Sequence, residues 1–186
     1  MCVQHLGVPM STFGFDIPAE ELVTIPTCPP EKLIEIFADG GCNNRGKYKG
    51  IGAWAFVALH RGVKIFENSY GVTGSTNNRT ELSAVLKALT AYEQSLNLGY
   101  HLRFYCDSKY VVEMWNKHFN SWGGSFVGLA NQDLVEIFWK WKKMYKNQIE
   151  LVWIKGHAGH EWNEYVDELC TKEMNELKRM ADEKTK

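Results

Sequence analysis

Cysteine is scarce and poorly arranged for cross-linking, with five residues at Cys2, Cys28, Cys42, Cys106 and Cys170. None falls in a CxxC pair or at a Cys/His ligand spacing. That excludes a zinc ribbon or a redox dithiol, and the odd count does not suit a closed disulfide framework. Free thiols in a cytoplasmic compartment are the expectation. Long apolar runs are lacking too. None nears the ~20 residues that span a bilayer, so no membrane partner is expected. An excess of charge is also absent, because 21 Lys and Arg stand against 22 Asp and Glu, a formal net charge of −1. Bulk electrostatics therefore do not point to a polyanionic partner. Any basic surface must be local, for example Arg45, Lys47 and Lys49, or Lys140, Lys142, Lys143 and Lys146, and the second group also reads as the solvated face of a helix. Proline is missing after residue 30, since Pro9, Pro18, Pro26, Pro29 and Pro30 are the whole set. Residues 1–30 are expected to form an extended arm lying on the domain, or a disordered lead.

What remains is enough for one good core. The chain has 186 residues and is 45% hydrophobic, so a second domain is not needed. LIEIFA (33–38) reads as a short buried strand that runs into Asp39, and GGCNNRGKYKG after it has turn composition. AWAFVALH and VKIFENSYGV, separated by Arg61 and Gly62, form a hairpin pattern. Ser75, Thr76 and Asn77 are capping types ahead of a helix carrying Leu82, Val85, Leu86 and Leu89 at helical spacing. HLRFYC is a strand that stops at Asp107, with a helix starting near Tyr110. LVEIFWKWKKMY reads as an amphipathic helix, IELVWI as a fifth strand, and EYVDELCTKEMNELKRM as a last helix. This order predicts a mixed sheet with helices packed on it, in which only segments joined through helices are free to pair parallel.

Four acids stand out in this framework: Asp39 in FADGG, Glu81 in NNRTEL, Asp107 in FYCDSKY and Asp167 in GHAGHEWNEYVDEL. Each is read at a strand end or early in a helix, where side chains distant in sequence can converge on a metal. Hard carboxylate oxygens suit Mg²⁺ or Mn²⁺. Two such ions ~4 Å apart can stabilise the attacking and leaving oxygens of an in-line displacement. Without cations the acids would repel one another, so at least one should titrate above the usual carboxylate range.

From about Ile34 to about Cys170 the chain resembles a type 1 ribonuclease H, on the phrases DGGC, STNNRTEL, CDSKYV, NQDL and VWIKGHAGHEWNEYVDEL taken in order. The resemblance implies a ribonuclease H-like α/β fold, with a five-stranded mixed sheet whose second strand is antiparallel. It also implies a monomer that hydrolyses the RNA strand of RNA/DNA hybrids with two divalent metals, Mg²⁺ or Mn²⁺, leaving 3′-hydroxyl and 5′-phosphate ends. Asp39 would bridge both ions, Glu81 and Asp107 would complete one site, and Asp167 the other. His157, in the Gly156 to Gly159 loop, would assist proton transfer or product departure, as its ordinary pKa near 6.5 permits.

Substrate contacts follow from the surroundings of these acids. The amides of Asn77 and Asn78 both donate and accept, which suits the shallow minor groove of an A-like hybrid, although capping explains Asn77 as well. Thr76 would face a DNA-strand phosphate. Backbone at Gly40, Gly41 and Cys42 could approach the RNA sugar, and Asn163 resembles a position near the site, with an N-cap role as the alternative. Three departures from the family pattern matter. Lys109 stands where a minor-groove glutamine is usual, Arg45 beside Asn44 where a phosphate-holding asparagine is usual, and WNKHFNSWGGSFVGLANQDL replaces a Lys/Arg-rich protrusion. In that segment Trp115 is expected in the core and Trp122 exposed as a stacking platform, while Trp139, Trp141 and Trp153 are expected to pack inside. Residues 31–172 would form the catalytic domain and 173–186 a charged, fraying helical tail. Two other readings stay open: a strand-transferase or nuclease of the same fold acting on DNA, and a silent nucleic-acid-binding module.

Overall fold

A computed structural model describes residues 29–184. Most of the expected arm, with Cys2, His5 and Cys28, therefore lies outside the described residues. A single 3₁₀ turn at Pro30–Lys32 leads into β1 (Leu33–Cys42), β2 (Gly52–His60) and β3 (Val63–Val72). Then come α1 (Asn77–Ala91), α2 (Glu93–Asn97) and β4 (His101–Cys106). Next is a helical stretch of α3 (Lys109–Glu113), a π-wound turn at Met114–His118 and α4 (Phe119–Ser121), followed by α5 (Gln132–Tyr145), β5 (Ile149–Trp153) and α6 (Glu161–Glu183). The sheet order is β3-β2-β1-β4-β5. β2 is antiparallel to both neighbours, and β4 and β5 follow β1 in parallel. The mixed sheet expected from the sequence is thus present, and the β2–β3 hairpin turns through Arg61 and Gly62, both at positive φ (54° and 73°), as a two-residue turn of primed type requires.

β2 shows why its sequence is apolar at every position. Trp54, Phe56 and Ala58 face α1 and the main core, whereas Ala53, Ala55, Val57 and Leu59 face α6 with Val166 and Cys170. Small alanines on the second face let a long helix lie close to the strand. Phe56 and Phe104 are fully buried, and burying such a ring contributes roughly 1.5–3 kcal/mol each.

Three expectations need correction. β1 does not stop at Asp39; it continues through Gly40, Gly41 and Cys42, which pair with Trp54, Ala53 and Gly52. Glycine is needed there because α1 presses on the strand: a Cβ on Gly40 would lie 2.6 Å from the Thr80 carbonyl oxygen. Trp122 is half-buried, packed edge-on to Phe119 and Phe126 and stacked on His118, so the segment is an aromatic core extension rather than an exposed platform. Trp153, expected inside, is 39% exposed at the end of β5.

The sequence boundary at 172 falls inside α6. Beyond it Glu173 accepts from Ser69 Oγ (2.9 Å), Met174 packs with the α6-side core, and Asp182 takes the Tyr48 hydroxyl (2.8 Å) and the Lys47 ammonium (2.7 Å). A Cβ on Gly71 would meet the Leu177 side chain, so the strand is kept bare for the helix.

Candidate active site

The parallel centre of the sheet opens where β1 and β4 part. Their ladder ends at Phe37↔Tyr105, whereas β1 stays paired to β2 as far as Cys42. Asp39 and Asp107 lie just past that fork, on the carboxyl side of two parallel strands, the usual place for a crevice in such sheets.

Asp39 is only 9% exposed, and its carboxylate accepts the Gly40 N–H at 2.7 Å. Burial, then the negative charge of Asp107, and further those of Asp167 and Glu81, push its pKa up to about 7, against the downward pull of the Gly40 hydrogen bond. Glu81 comes from the second turn of α1. Its two oxygens accept from Ser108 Oγ (2.5 Å) and Asn77 Nδ2 (2.9 Å). Burial raises its pKa, with Ser108 opposing and Asp107 adding to the rise.

Asp107 is held from three directions. Trp153 Nε1 donates to its backbone carbonyl (3.0 Å), Asn163 Nδ2 lies 3.4 Å from Oδ2, and a Cβ on Gly156 would come within 2.5 Å of the same oxygen. Asp167, on the second turn of α6, is half-exposed, with His157 Nδ1 at 4.0 Å from Oδ2. His157 itself is exposed, and its φ of 52° places it in the left-handed region between Gly156 and Gly159.

The sign of the fields follows from this donor set. Three carboxylates, those of Asp107, Asp167 and Glu81, raise the pKa of the buried Asp39. Among the described residues no three His, Cys, Asp or Glu side chains close to ligand spacing. Charge coupling reaches further than ligation does, so the other acids act on Asp39 without closing on a common point. That combination fits a divalent cation bound through hard oxygens.

The substrate-side residues fall into two groups. Asn77 is taken up in the structure: besides reaching Glu81, its Oδ1 accepts the Cys42 N–H (3.1 Å), so its amide ties the end of β1 to the second acid and leaves α1 without a side-chain cap. The N–H groups of Gly40 and Cys42 are likewise committed to Asp39 and Asn77. Gly41 lies against Met174 of α6. Thr76, Asn78, Asn44, Arg45 and Lys109 are exposed. His160 takes the N-cap position of α6, and Asn163 sits a turn further in, 2% exposed, with Oδ1 lacking a hydrogen-bond partner. The sequence reading missed Ser108, Gly156 and Trp153. All three lie inside the quoted motifs, Ser108 directly after an acid, but small or aromatic residues carry no sign that they will face one.

Arg79 and Asp133, from TNNRTEL and NQDL, pair with each other (2.5 Å and 2.9 Å), joining α1 to α5. Those phrases thus carry structural as well as chemical residues.

Sheet order, the fork and the four acids place the molecule in the ribonuclease H-like class of α/β proteins. A family model described as RNase H matches residues 31–175. A ribonuclease H of Methylobacillus flagellatus is 34% identical over 149 residues, covering 78% of this chain and 93% of the relative. The chain belongs to the RNase H family of enzymes. Solved structures agree on the fold. The crystal structure of LC9-RNase H1, described as a type 1 RNase H with the type 2 active-site motif, is 22% identical with a TM-score of 0.63, over 80% of this chain and 75% of that one. LC11-RNase H1 in complex with RNA/DNA hybrid is 20% identical with a TM-score of 0.59, over 77% and 98%.

Proposed function

We propose that this protein is an endoribonuclease that hydrolyses the RNA strand of RNA/DNA hybrids, leaving 3′-hydroxyl and 5′-phosphate ends. The observation that carries the reading is Asp39, a buried acid beside three other acids, with its pKa pushed up to about 7. A binding module facing a polyanion gains nothing from such a cluster, whereas a hydrolase that recruits cations requires it.

Asp39, Glu81, Asp107 and Asp167 would hold two divalent ions, Mg²⁺ or Mn²⁺. Bound there, the ions supply charge that stabilises the developing oxyanions of phosphodiester cleavage. The chain's own residues do the rest. Ser108 and Asn77 fix both oxygens of Glu81, so that acid presents one face. Asn163 and Gly156 set the orientation of the Asp107 carboxylate. His157, exposed on its loop with Nδ1 4.0 Å from Asp167 Oδ2, would carry a proton to or from the departing group. Asn78, Thr76, Asn44, Arg45 and Lys109 remain exposed for sugar and phosphate contacts, while Gly40, Gly41 and Cys42 line the same strand end. The free thiols at Cys42, Cys106 and Cys170 accord with a cytoplasmic enzyme; that it acts as a monomer is part of the proposal.

The deciding experiment compares cleavage of an RNA/DNA hybrid, duplex DNA and duplex RNA in Mg²⁺, with and without chelator. Hybrid-selective, chelator-sensitive RNA cleavage is expected. Preferential cutting of duplex DNA would support the strand-transferase alternative, and activity that survives thorough chelation would sink the metal mechanism.

A further inference from the structure

Trp153 is the exposed aromatic residue next to the carboxylates, and the cleavage reading above gives it no task. It ends β5, paired with Cys106 at the end of β4, one residue before Asp107. Its side chain does two things at once. The indole N–H donates to the Asp107 carbonyl (3.0 Å), while the ring face carries the Lys109 ammonium 5.0 Å from the ring centroid. A cation over an indole face is attracted by its quadrupole, about 0.5–1 kcal/mol at exposed sites, enough to bias where a flexible lysine rests. Ile154 N–H also reaches Cys106 O (3.1 Å), so the backbone beneath the tryptophan is locked to β4 beside the acid.

The geometry points to Trp153 as a positioning residue that links substrate capture to the order of the metal site, on the assumption that the site cleaves hybrids as argued above. It holds the main chain of Asp107 with one edge and presents Lys109 to a sugar-phosphate strand with its face. Lys109 is a compact cation that only donates, and we assign its contact to a strand phosphate, which carries no base sequence. A strand phosphate seated on Lys109 therefore bears on the side chain that fixes the third carboxylate.

Two substitutions separate the two edges of this residue. Trp153→Phe keeps a ring under Lys109 and removes the N–H; Lys109→Met removes the cation and leaves the N–H bond. Mn²⁺ is titrated calorimetrically into each protein without nucleic acid, and hybrid affinity is measured against salt. Trp153→Phe is expected to weaken Mn²⁺ binding ~10-fold, the lower end for losing an outer-shell partner, with the salt slope retained. Lys109→Met is expected to leave Mn²⁺ binding in place and flatten the salt slope by about one unit. Trp153→His, which retains a ring N–H, should recover part of the Mn²⁺ affinity, and melting curves confirm that all proteins compared are folded. Native-like Mn²⁺ binding in Trp153→Phe, or equal movement of both readouts in both variants, overturns the proposal. The metal titration needs no substrate. A native protein that leaves hybrids uncut would refute the functional reading without touching Trp153's hold on Asp107, whereas hybrid cutting with unchanged metal binding in Trp153→Phe would refute only the latter.

Discussion

Asp39 links chemistry to stability through a single proton. Its ordinary carboxyl pKa of 3.8 rises to about 7 in the fold, so the folded state favours the protonated form. A group raised in this way contributes stability that is fully present below about pH 4 and is lost as pH climbs through about 7; the full effect is on the order of a few kcal/mol. Glu81 is raised too and acts in the same direction. Asp39→Asn should therefore melt higher than the native protein in chelator, with the advantage larger at pH 8 than at pH 5, and should at the same time lose nearly all turnover. A melting difference that does not change with pH would contradict the burial and crowding assigned to this acid. His157 is a contrasting case, exposed and on a loop. His157→Ala should keep measurable hydrolysis, with a loss nearer ~10²-fold, read as kcat in Mg²⁺.

At the scale of elements, the close approach of α1 to β1 sets the distance between the first two acids. Gly40→Ala would drive a methyl group into the backbone of Thr80 and Glu81, which cannot give way as a flexible side chain would. The expected result is a loss of roughly 1–3 kcal/mol in denaturant unfolding, with a larger fall in activity than stability alone explains. Gly41→Ala meets only the end of Met174 and should be milder, which makes it the control. The strands, the hairpin and the opening of α1 could be read from apolar periodicity and turn residues, because those patterns are local. What the sequence did not disclose was contact between distant segments. LIEIFA reads as ending at Asp39 because Gly40 and Gly41 look like a turn, whereas they are strand residues stripped of side chains to admit a helix. Trp122, flanked by Ser121, Gly123 and Gly124, reads as exposed, yet Phe119 and Phe126 pack edge-on against it and His118 stacks on its ring. Each acid could be found from its motif, but Ser108 and Gly156, which hold or clear space for the acids, could not.

For the whole molecule, the charge distribution decides how substrate is held. The chain carries a net charge of −1 and an aromatic segment stands where a basic protrusion is usual in the family pattern, so basic contacts to a strand must be local. Lys142 is withdrawn from that role, because its ammonium sits on the Trp115 carbonyl and over its ring. Hybrid affinity should fall only gently with added salt, since each phosphate neutralised adds about −0.9 to the slope for duplex DNA. Grafting a Lys/Arg-rich helix onto the exposed Gly123-Gly124-Ser125 turn should steepen the slope, lower KM and leave kcat little changed. Parallel salt slopes for the two proteins would mean that Arg45, Lys109 or the α5 lysines already supply those contacts.

The packing of α6 across β1, β2 and β3 also has a consequence in time. A ribosome makes Asp39, Glu81 and Asp107 long before Asp167, and until α6 emerges the Ala53, Ala55, Val57 and Leu59 face of β2 has nothing to lie against. The set of acids cannot be completed on a nascent chain still lacking that helix. A growing polypeptide thus carries no complete set of acids until α6 closes over the sheet, and in the meantime a bare apolar strand face must be kept from other chains.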